Sequence, residues 1–372
     1  MKLSVDRQEL LRGLGRIQAI VEKRNAMPIL ANVLLTAEKK KSPLVLAATD
    51  LEVGIRSEHT ADIEKSGSLT VGAKKFFEIV RELPEEKVHL EATENSYLSL
   101  HCGRSQFTLA GTAAEEYPTL PEFAPEKTVT VQGVSVGAMI EHTIYASSVD
   151  ETRYNLNGVF LEVVEGTDRI RMVATDGHRL ALVERSLGED TSGLASSVII
   201  PRKGLSELKR LVDEDDVDEI ELAFEGNHGL ARKGGVTLVM RLIEGEFPNY
   251  QQVIPKEILH RIPISSEILI QSLRRVAILS TERARAVKFE VSENKLSLSS
   301  NNPELGDARE EIDIDFSGET ISIGFNARYL IDALTSMHAK EVLVGIRDEL
   351  QPAQIVGADD PDSFAVIMPM RI

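Results

Sequence analysis

The 372-residue chain carries a formal charge of −17 at pH 7, so its average surface should repel nucleic acid and any DNA contact would need locally concentrated lysine and arginine. Its single cysteine, Cys102, excludes an internal disulfide, and the absence of tryptophan with only 5% aromatic residues argues against stacking on single strands. No apolar run approaches the roughly 18 residues that span a membrane, and the charged start MKLSVDRQELL is unlike a secretory signal. We therefore expect a cytoplasmic chain of two or three domains.

The first predicted elements are a strand, a helix and three more strands. A strand at 2–5 precedes Asp6, which should cap a helix whose apolar face includes Leu10, Leu14 and Ile17. Alternating apolar residues predict the next three strands at 29–37, 44–48 and 51–59. The same order then recurs as a strand at 68–71, a helix from 73 that stops before Pro84, and strands near 87–92, 97–101 and 105–110.

Two further copies of this order follow a linker at 111–127, which is rich in proline, glutamate and threonine. The second copy is predicted as a strand at 129–132, a helix at 136–148, strands at 158–164, 170–174, 180–186 and 197–200, and a helix whose first position suits Pro201. The third is predicted with helices at 265–279 and 327–337, strands at 286–291, 295–299 and 310–316, and an apolar tail from 364.

Three polar corners mark the same point of each copy. They lie in LVLAATDLEVGI at 44–55, IRMVATDGHRLAL at 170–182 and LSLSSNNPELGDAR at 296–309. Asp50, Asp176 and Asn302 occupy the corner and are spaced by 126 residues each time. The sequence therefore predicts an α+β fold in which one module, made of two strand-helix-three-strand halves, is used three times.

Basic residues recur on the second helices of the first two copies. They lie seven positions apart, about two helical turns, so the members of each pair share a face. The pairs are Lys74 with Arg81, Arg202 with Lys209, and Lys203 with Arg210. Ordinary solvent-exposed helix charge explains any one pair, whereas recurrence in so acidic a chain also fits a basic surface, and both interpretations stay open here.

An enzyme is the alternative class of function. Asp176 and His178 in one turn could act as a general base pair or as half of a metal site. However, the other two corners pair Asp50 with Glu52 and Asn302 with Glu304, so the histidine does not recur. The eight histidines lack ligand spacing such as HExxH, and neither a P-loop nor a nucleophile elbow occurs. We expect no catalytic residue, no cofactor and no metal.

Six short motifs occur in one order along the chain: LNG at 156–158, ATDGHRLA at 174–181, IPRKG at 200–204, FPNY at 247–250, SENKL at 292–296 and MPMRI at 368–372. Together with the three copies, they resemble the bacterial DNA polymerase III β subunits, the sliding clamps. The resemblance runs from Met1 to Ile372 and implies three DNA-clamp domains at 1–122, 128–254 and 255–372.

The resemblance implies a head-to-tail homodimeric ring that encircles duplex DNA without sequence preference and makes a polymerase processive. Helix width favours two chains, since six helices about 10 Å wide enclose a hole of only about 10 Å and twelve enclose about 28 Å. The implied partners are the clamp loader complex, the DNA polymerase III α subunit, and other polymerases, repair and ligation proteins that carry clamp-binding peptides.

By the same resemblance, two sets of residues should meet DNA and partner peptides. The phosphate-contacting candidates are Arg24, Lys74, Lys75, Arg202 and Lys203, with Lys209 and Arg210 added by pattern. The candidates for a peptide groove between the second and third domains are Arg153, Leu156, Thr175, Gly177, His178, Arg179, Leu180, Pro248, Val253, Asn326, Tyr329, Val366, Ile367, Met368, Pro369, Met370, Arg371 and Ile372. Without the resemblance, the tail could merely complete the last sheet and the corner could be only a structural turn, and a peptide-binding scaffold that never touches DNA is the third class of function.

The dimer interface implied by the resemblance pairs the first copy with the third. Its candidates are Arg104, Phe107 and Leu109 on one side and Ile278, Leu279, Glu304 and Asp307 on the other. Three positions depart from what the family leads us to expect, namely Asn155, Gln252 and Ala284, and the segment 303–309 carries fewer acids. These departures bear on peptide preference and on the strength of the dimer.

Overall fold

The computed structural model describes residues 1–21, 27–38, 42–93, 95–118, 128–187, 194, 197–214, 218–280 and 285–371. Its α-helices within these ranges are α1 (Arg7–Ile20), α2 (Ala73–Glu82), α3 (Gly133–Thr143), α4 (Arg202–Val212), α5 (Ser266–Ala277) and α6 (Ala327–Met337). By contacts between residues, the chain divides into two compact units: 1–133 with 206–242, and 134–205 with 243–372. The three-domain boundaries drawn from the sequence stay a prediction.

The first unit is built on one long antiparallel sheet. Its strands are β1 (Lys2–Asp6), β2 (Asn32–Ala37), β3 (Leu44–Thr49), β4 (Val53–His59), β5 (Ala61–Lys65), β6 (Gly67–Gly72), β7 (Lys87–Ala92), β8 (Tyr97–Cys102), β9 (Ser105–Thr112), β10 (Val129–Gln132), β15 (Glu219–Glu225), β16 (His228–Lys233) and β17 (Val236–Arg241). Within the described residues, their order is β10-β15-β16-β17-β4-β3-β2-β6-β9-β8-β7-β1-β5. The pairing of β17 with β4 therefore joins strands from the first and second sequence copies in one sheet.

The second unit contains two sheets. Their strands are β11 (Gly158–Val163), β12 (Arg169–Thr175), β13 (Arg179–Ser186), β14 (Ser197–Pro201), β18 (His260–Ser265), β19 (Ala286–Ser292), β20 (Lys295–Asn302), β21 (Gly306–Asp313), β22 (Ile321–Asn326), β23 (Glu341–Ile346), β24 (Ala353–Gly357) and β25 (Asp360–Ile367). The larger sheet has the order β14-β11-β12-β13-β25-β24-β23-β18 and the smaller has the order β21-β20-β19-β22 in the described part of the chain. Here β13 pairs with β25, so strands of the second and third copies again share a sheet.

The predicted strand-helix-three-strand order recurs in all three copies, with one addition. Strand β5, which the sequence analysis missed, follows β4 and pairs with β1 at the edge of the first sheet. Helix α3 begins earlier than predicted and ends at Thr143, where a 3-10 turn at Ile144–Ala146 replaces the last predicted turns. The start of the predicted strand at 29–37 is likewise a 3-10 turn, Pro28–Ala31.

The prediction that Pro201 opens a helix is wrong, because Pro201 ends β14 opposite Gly158 and the helix starts at Arg202. Strand β14 is the last in its sheet, and a proline is tolerated on an edge strand because no further neighbour needs its missing N–H.

Candidate functional site

The Asp176 corner closes in a small set of side-chain-to-backbone hydrogen bonds. Asp176 Oδ1 accepts from the backbone N–H groups of His178 at 2.9 Å and Arg179 at 3.0 Å. The Thr175 hydroxyl donates to the Arg179 carbonyl at 2.7 Å. Gly177, at φ +87°, takes the left-handed conformation that favours glycine. The carboxylate thus stabilises a turn in which His178 is exposed beside the end of β12.

Arg179 is the most heavily bonded side chain at this corner. Its guanidinium donates to Asp176 Oδ2 at 3.1 Å, to Asp332 Oδ2 at 2.7 Å and to the Tyr145 carbonyl at 2.6 Å. It also lies 4.5 Å from the centroid of the Tyr329 ring, in cation–π range. Only 9% of the side chain is exposed. Arg179 therefore ties the corner to α6 rather than projecting towards a ligand.

Tyr329 is positioned between this arginine and solvent. Its ring lies 6.3 Å from that of His178, with an interplanar angle of 16°. Partial burial, assisted by the nearby Asp176 carboxylate, raises the pKa of its phenol. The phenol therefore stays protonated at neutral pH and can donate a hydrogen bond beside the exposed imidazole.

Leu180 lies on the opposite face of the sheet from Arg179, since successive strand residues alternate in direction. It is opposite Val366 on β25, and both are buried in one apolar cluster with Val173, Leu182 and Tyr250. Partly buried side chains complete this cluster: Phe160, Phe247, Val253, Ile254 and Phe364. The structure thus brings predicted residues Leu180, Val253 and Val366 together in one apolar cluster. Leu180 and Val366 are buried in it, and its partly buried side chains form the surface that remains exposed.

The segment 247–254 covers part of that surface. The Phe247 ring stacks on Phe160 at 4.9 Å between centroids, and the Tyr250 hydroxyl donates to the Glu162 carboxylate. Arg171 donates to the same Glu162 at 2.7 Å and to the Tyr250 oxygen at 2.9 Å. This network holds the segment against the sheet and leaves Pro248 exposed beside the cluster.

The tail continues from β25 past the corner. The backbone N–H of Met368 donates to the His178 carbonyl at 3.0 Å, and that of Met370 donates to the Gly324 carbonyl at 2.8 Å. Val366 and Ile367 are buried, whereas Met368, Pro369 and Met370 are partly exposed and Arg371 is exposed. The tail therefore completes the sheet and leaves flexible apolar side chains partly exposed, and its part in a peptide groove stays a prediction. Ile372 lies outside the described residues.

The remaining groove candidates surround the corner. Arg153 Nη1 donates to the Asp176 carbonyl at 3.0 Å, and Leu156 ends the adjacent 3-10 turn, half-buried. Asn326 caps α6 by accepting from the Arg328 N–H at 2.9 Å. Of the departures from the family, Asn155 donates to the Glu246 carbonyl at 2.9 Å, Gln252 is exposed, and Ala284 lies outside the described residues.

The basic candidates have acidic neighbours. Lys75 contacts Glu78 at 2.6 Å, with Lys74 at 3.9 Å from the same carboxylate. Lys209 contacts Asp213 at 2.6 Å and Arg210 contacts Glu207 at 3.3 Å. Arg202 and Lys203 are half-buried, and burial lowers the pKa of Arg202. Arg24 lies outside the described residues.

The interface candidates lie on or beside β9, near the start of β21 and just after α5. Arg104 and Phe107 are exposed and Leu109 is half-buried on or beside β9. Glu304 and Asp307 are exposed at the start of β21, and Ile278 is 72% exposed after α5, beside half-buried Leu279.

Sequence reasoning missed the partners of Arg179 and the aromatic residues of the apolar cluster. Tyr145 and Asp332 belong to segments that are distant in sequence from Arg179, and no local sequence pattern indicates that they contact it. Phe364 was detectable in principle, since it alternates with Val366 on β25, whereas Phe160 alternates with Gly158 and Glu162 and no apolar pattern marks it.

Among the residues that the structure describes, no helix is long and apolar enough to cross a membrane. The same residues contain no group of three or more histidine, cysteine, aspartate or glutamate side chains arranged to hold a metal ion.

Comparison with known proteins covers the whole chain. Family models of the DNA polymerase III β subunit match in order: the N-terminal domain at 1–121, the central domain at 130–249 and the C-terminal domain at 251–371. The β sliding clamp of Caulobacter vibrioides is 36% identical over 376 residues, and that of Escherichia coli K12 is 35% identical over 373, each with full coverage of both chains.

Solved structures agree with the family models. The chain is similar to a Caulobacter crescentus β sliding clamp, with a TM-score of 0.93 and 36% identity. It is also similar to a Bartonella birtlesii sliding clamp bound to griselimycin, with a TM-score of 0.95 and 33% identity, and both matches cover the full length of both chains. The fold is therefore three repeated β-clamp domains, as predicted, and the chain belongs to the family of bacterial DNA polymerase III β subunits, the β sliding clamps, which are non-catalytic processivity factors.

Proposed function

We propose that two copies of this chain close head to tail into a ring around duplex DNA and tether the replicative polymerase through peptides docked at the Asp176 corner. Family membership supports this proposal, and two strand edges offer the surfaces through which the ring would close. Among the described residues, 105–110 of β9 pair with β8 alone, and β21 pairs with β20 alone. Unpaired strand edges of this kind are templates for pairing with another chain.

The pairings inside the chain support this particular closure. In both β4–β17 and β13–β25, the third strand after the helix of a first half meets the last strand of a second half. Strand β21 is the third strand after the helix of a first half, and β9 is the last strand of a second half. Pairing β21 of one copy with β9 of another would repeat the same joint and bring Phe107 and Leu109 towards Ile278 and Leu279.

The basic candidates would supply weak phosphate contacts to the enclosed DNA. The acidic neighbours of Lys74, Lys75, Lys209 and Arg210 reduce the local positive charge, which suits a clamp that is retained by topology and must slide. The proposed contacts are Arg24, Lys74, Lys75, Arg202, Lys203, Lys209 and Arg210. Such contacts read no base sequence but make binding depend on salt.

The test of the ring is retention on DNA of defined topology after loading by the clamp loader. The chain should stay on nicked circular DNA and slide off linear DNA. Replacing Arg24, Lys203 and Arg210 together with alanine should lower the salt slope by about one for each phosphate that is no longer neutralised. A control with Lys2, Lys87 and Lys295 replaced by alanine removes the same charge from strand faces and should leave the slope unchanged. Equal dissociation from circular and linear DNA, or equal slopes in both triple variants, would contradict the proposal.

The groove is tested separately with a labelled peptide carrying the clamp-binding segment of the polymerase III α subunit. Val253, Pro248 and the two tail methionines offer apolar contacts beside the buried Leu180, and methionine adapts to varied ligands. Deleting residues 368–372 should abolish binding measured by fluorescence polarisation. The matched control replaces exposed Leu259 and Leu350 with alanine. Unchanged affinity after the deletion refutes the groove assignment while leaving the ring intact.

A further inference from the structure

The Asp50 corner repeats the bonding of the Asp176 corner almost atom for atom. Asp50 Oδ1 accepts from the N–H groups of Glu52 and Val53 at 2.9 and 2.7 Å, as Asp176 does from the two residues at the same spacing. The Thr49 hydroxyl donates to the Val53 carbonyl at 3.0 Å, matching the bond made by Thr175. The two corners are therefore copies of one structure, and their residues can be matched one to one.

The strand that runs past each corner extends the match. The N–H of Arg241 donates to the Glu52 carbonyl at 2.8 Å, as Met368 donates to His178. Gly54 is opposite Val239 on β17, as Leu180 is opposite Val366 on β25. Six groove candidates, Thr175, Gly177, His178, Leu180, Val366 and Met368, thus have the counterparts Thr49, Leu51, Glu52, Gly54, Val239 and Arg241.

All six counterparts line one cavity of about 210 Å³ within the first unit. His228 also lines it, from the start of β16. Ligand pockets usually measure about 300–1,000 Å³, so this one accommodates a single anchoring side chain rather than a whole small molecule. The first unit therefore has a cavity at the positions that correspond to the proposed groove, although different residue types line it.

Leu51 is the residue that distinguishes this cavity most. It holds φ at +80°, where its counterpart Gly177 holds +87°, and its side chain is 57% exposed. A leucine in this backbone region is strained, and its exposure returns little burial energy. Docking of a ligand against the Leu51 side chain would account for an exposed leucine in a strained backbone conformation at the rim of the cavity.

We propose that the Asp50 cavity is a second docking site for a short extended peptide, one with an apolar anchor side chain next to a carboxylate. The anchor contacts Leu51 and Val239, and Arg241 and His228 donate to the carboxylate, which must lie away from the Glu52 carboxylate that lines the same cavity. Because Gly54 replaces Leu180 and Arg241 replaces Met368, this site is more polar than the groove and selects different peptides. The proposal rests on the proposed function in one respect, that the matching corner docks peptides.

The test uses three acetylated pentapeptides against the full chain, with methyl NMR of leucine and valine as the readout. The first has a central leucine between aspartates, the second a central leucine between lysines, and the third a central alanine between aspartates. The first should shift the Leu51 and Val239 methyl signals and bind about tenfold more tightly than either of the others, a difference of about 1.4 kcal/mol.

The deciding variant is Leu51→Gly, which removes the apolar rim and relieves the strained backbone. It should fold with an unfolding free energy no lower than that of the parent, yet lose at least about tenfold in affinity for the first peptide. The control variant His178→Ala alters only the groove and should leave this affinity unchanged. Undiminished binding to Leu51→Gly, shifts confined to Leu180 and Val366, or no shift at any methyl would overturn the proposal. Failure here leaves the groove standing if the polymerase peptide still needs residues 368–372.

Discussion

At the scale of single residues, Arg179 makes more of the hydrogen bonds and ion pairs that stabilise the Asp176 corner than the solvent-exposed residues there do. Removing one partner of a buried, hydrogen-bonded ion pair leaves the other charges uncompensated. We therefore expect Arg179→Ala to lower the free energy of unfolding by about 3 kcal/mol, measured in urea. The control Arg153→Ala, about half exposed, should change it by less than about 0.5 kcal/mol. A decrease in the free energy of unfolding for Arg179→Ala that is no larger than that for Arg153→Ala would show that Arg179 does not stabilise the corner.

His59 is the residue that links stability to pH in the first unit. Its ring is 2% exposed, contacts Ser57 Oγ at 2.9 Å and lies 3.3 Å from Glu9 Oε2. Burial lowers its pKa, with Glu9 opposing that shift. The unfolded chain then takes up a proton at a higher pH than the folded chain, so the free energy of unfolding falls as the pH drops below about 6.5.

Replacing His59 with glutamine should reduce that pH dependence, because glutamine cannot titrate. The measurement is the free energy of unfolding in urea at several pH values below about 6.5. Burial also lowers the pKa of His142, so part of the slope should persist in His59→Gln and decrease further in the double variant with His142→Gln. A slope equal to that of the parent in both variants would contradict this account.

Residue types and spacing predicted the hydrogen bonds between residues that are near in sequence but not those between residues that are far apart. Asp6 caps α1 as predicted, accepting from the Gln8 N–H at 2.8 Å, because a cap involves only neighbours in sequence. The corners at Asp50 and Asp176 recur for the same reason. The bonds from Arg179 to Asp332 and Tyr145 depend on how α3 and α6 pack, and nothing near position 179 encodes that packing.

At the scale of elements, regular periodicity predicted most helices and strands, and the misses have physical reasons. Strand β5 was missed because an edge strand is stabilised with few apolar residues, and only Ile63 is buried in it. Pro201 was misplaced because a proline suits both the first turn of a helix and an edge strand. Sequence pattern alone cannot choose between them, since the choice depends on where the strand lies in its sheet.

The end of α2 provides a prediction about elements. Arg7, in the first turn of α1, donates from Nε to the Val80 carbonyl at 3.1 Å and from Nη2 to the Arg81 carbonyl. The last carbonyls of a helix lack the usual partner four residues on, and of these two the Val80 carbonyl also accepts from the Leu83 N–H at 3.3 Å. Arg7→Ala should cost about 1–2 kcal/mol of unfolding free energy and increase amide hydrogen exchange at the end of α2. The more exposed Arg12, on the same helix, provides the control, and equal exchange in both alanine variants would contradict the assignment.

At the scale of the whole molecule, the threefold repeat makes the two internal joints, β4–β17 and β13–β25, a template for the proposed joint between β21 of one copy and β9 of another. Ile55 is opposite Leu238 in one joint and Ala181 is opposite Ala365 in the other. Tracing the ladder pairs through each hairpin assigns Ala308 to the place of Ile55 and Ala181, and Phe107 to the place of Leu238 and Ala365. Both internal joints give the same answer, so the register of the proposed joint between two copies can be derived from contacts within one copy.

That register predicts a disulfide between copies. The N–H of Arg241 bonds to Glu52, three positions from the Ile55–Leu238 pair, so that pair is of the non-hydrogen-bonded type, with Cα atoms about 4.5 Å apart. This separation is within disulfide range. The variant Phe107→Cys with Ala308→Cys should therefore oxidise to a covalent dimer on a non-reducing gel, with native Cys102 buried away from the reaction. Thr108→Cys with Ala308→Cys, whose side chains face opposite sides of the sheet, should remain monomeric on the gel; efficient crosslinking of that control, or none of the first pair, would mean that the joint between copies does not repeat the joints within them.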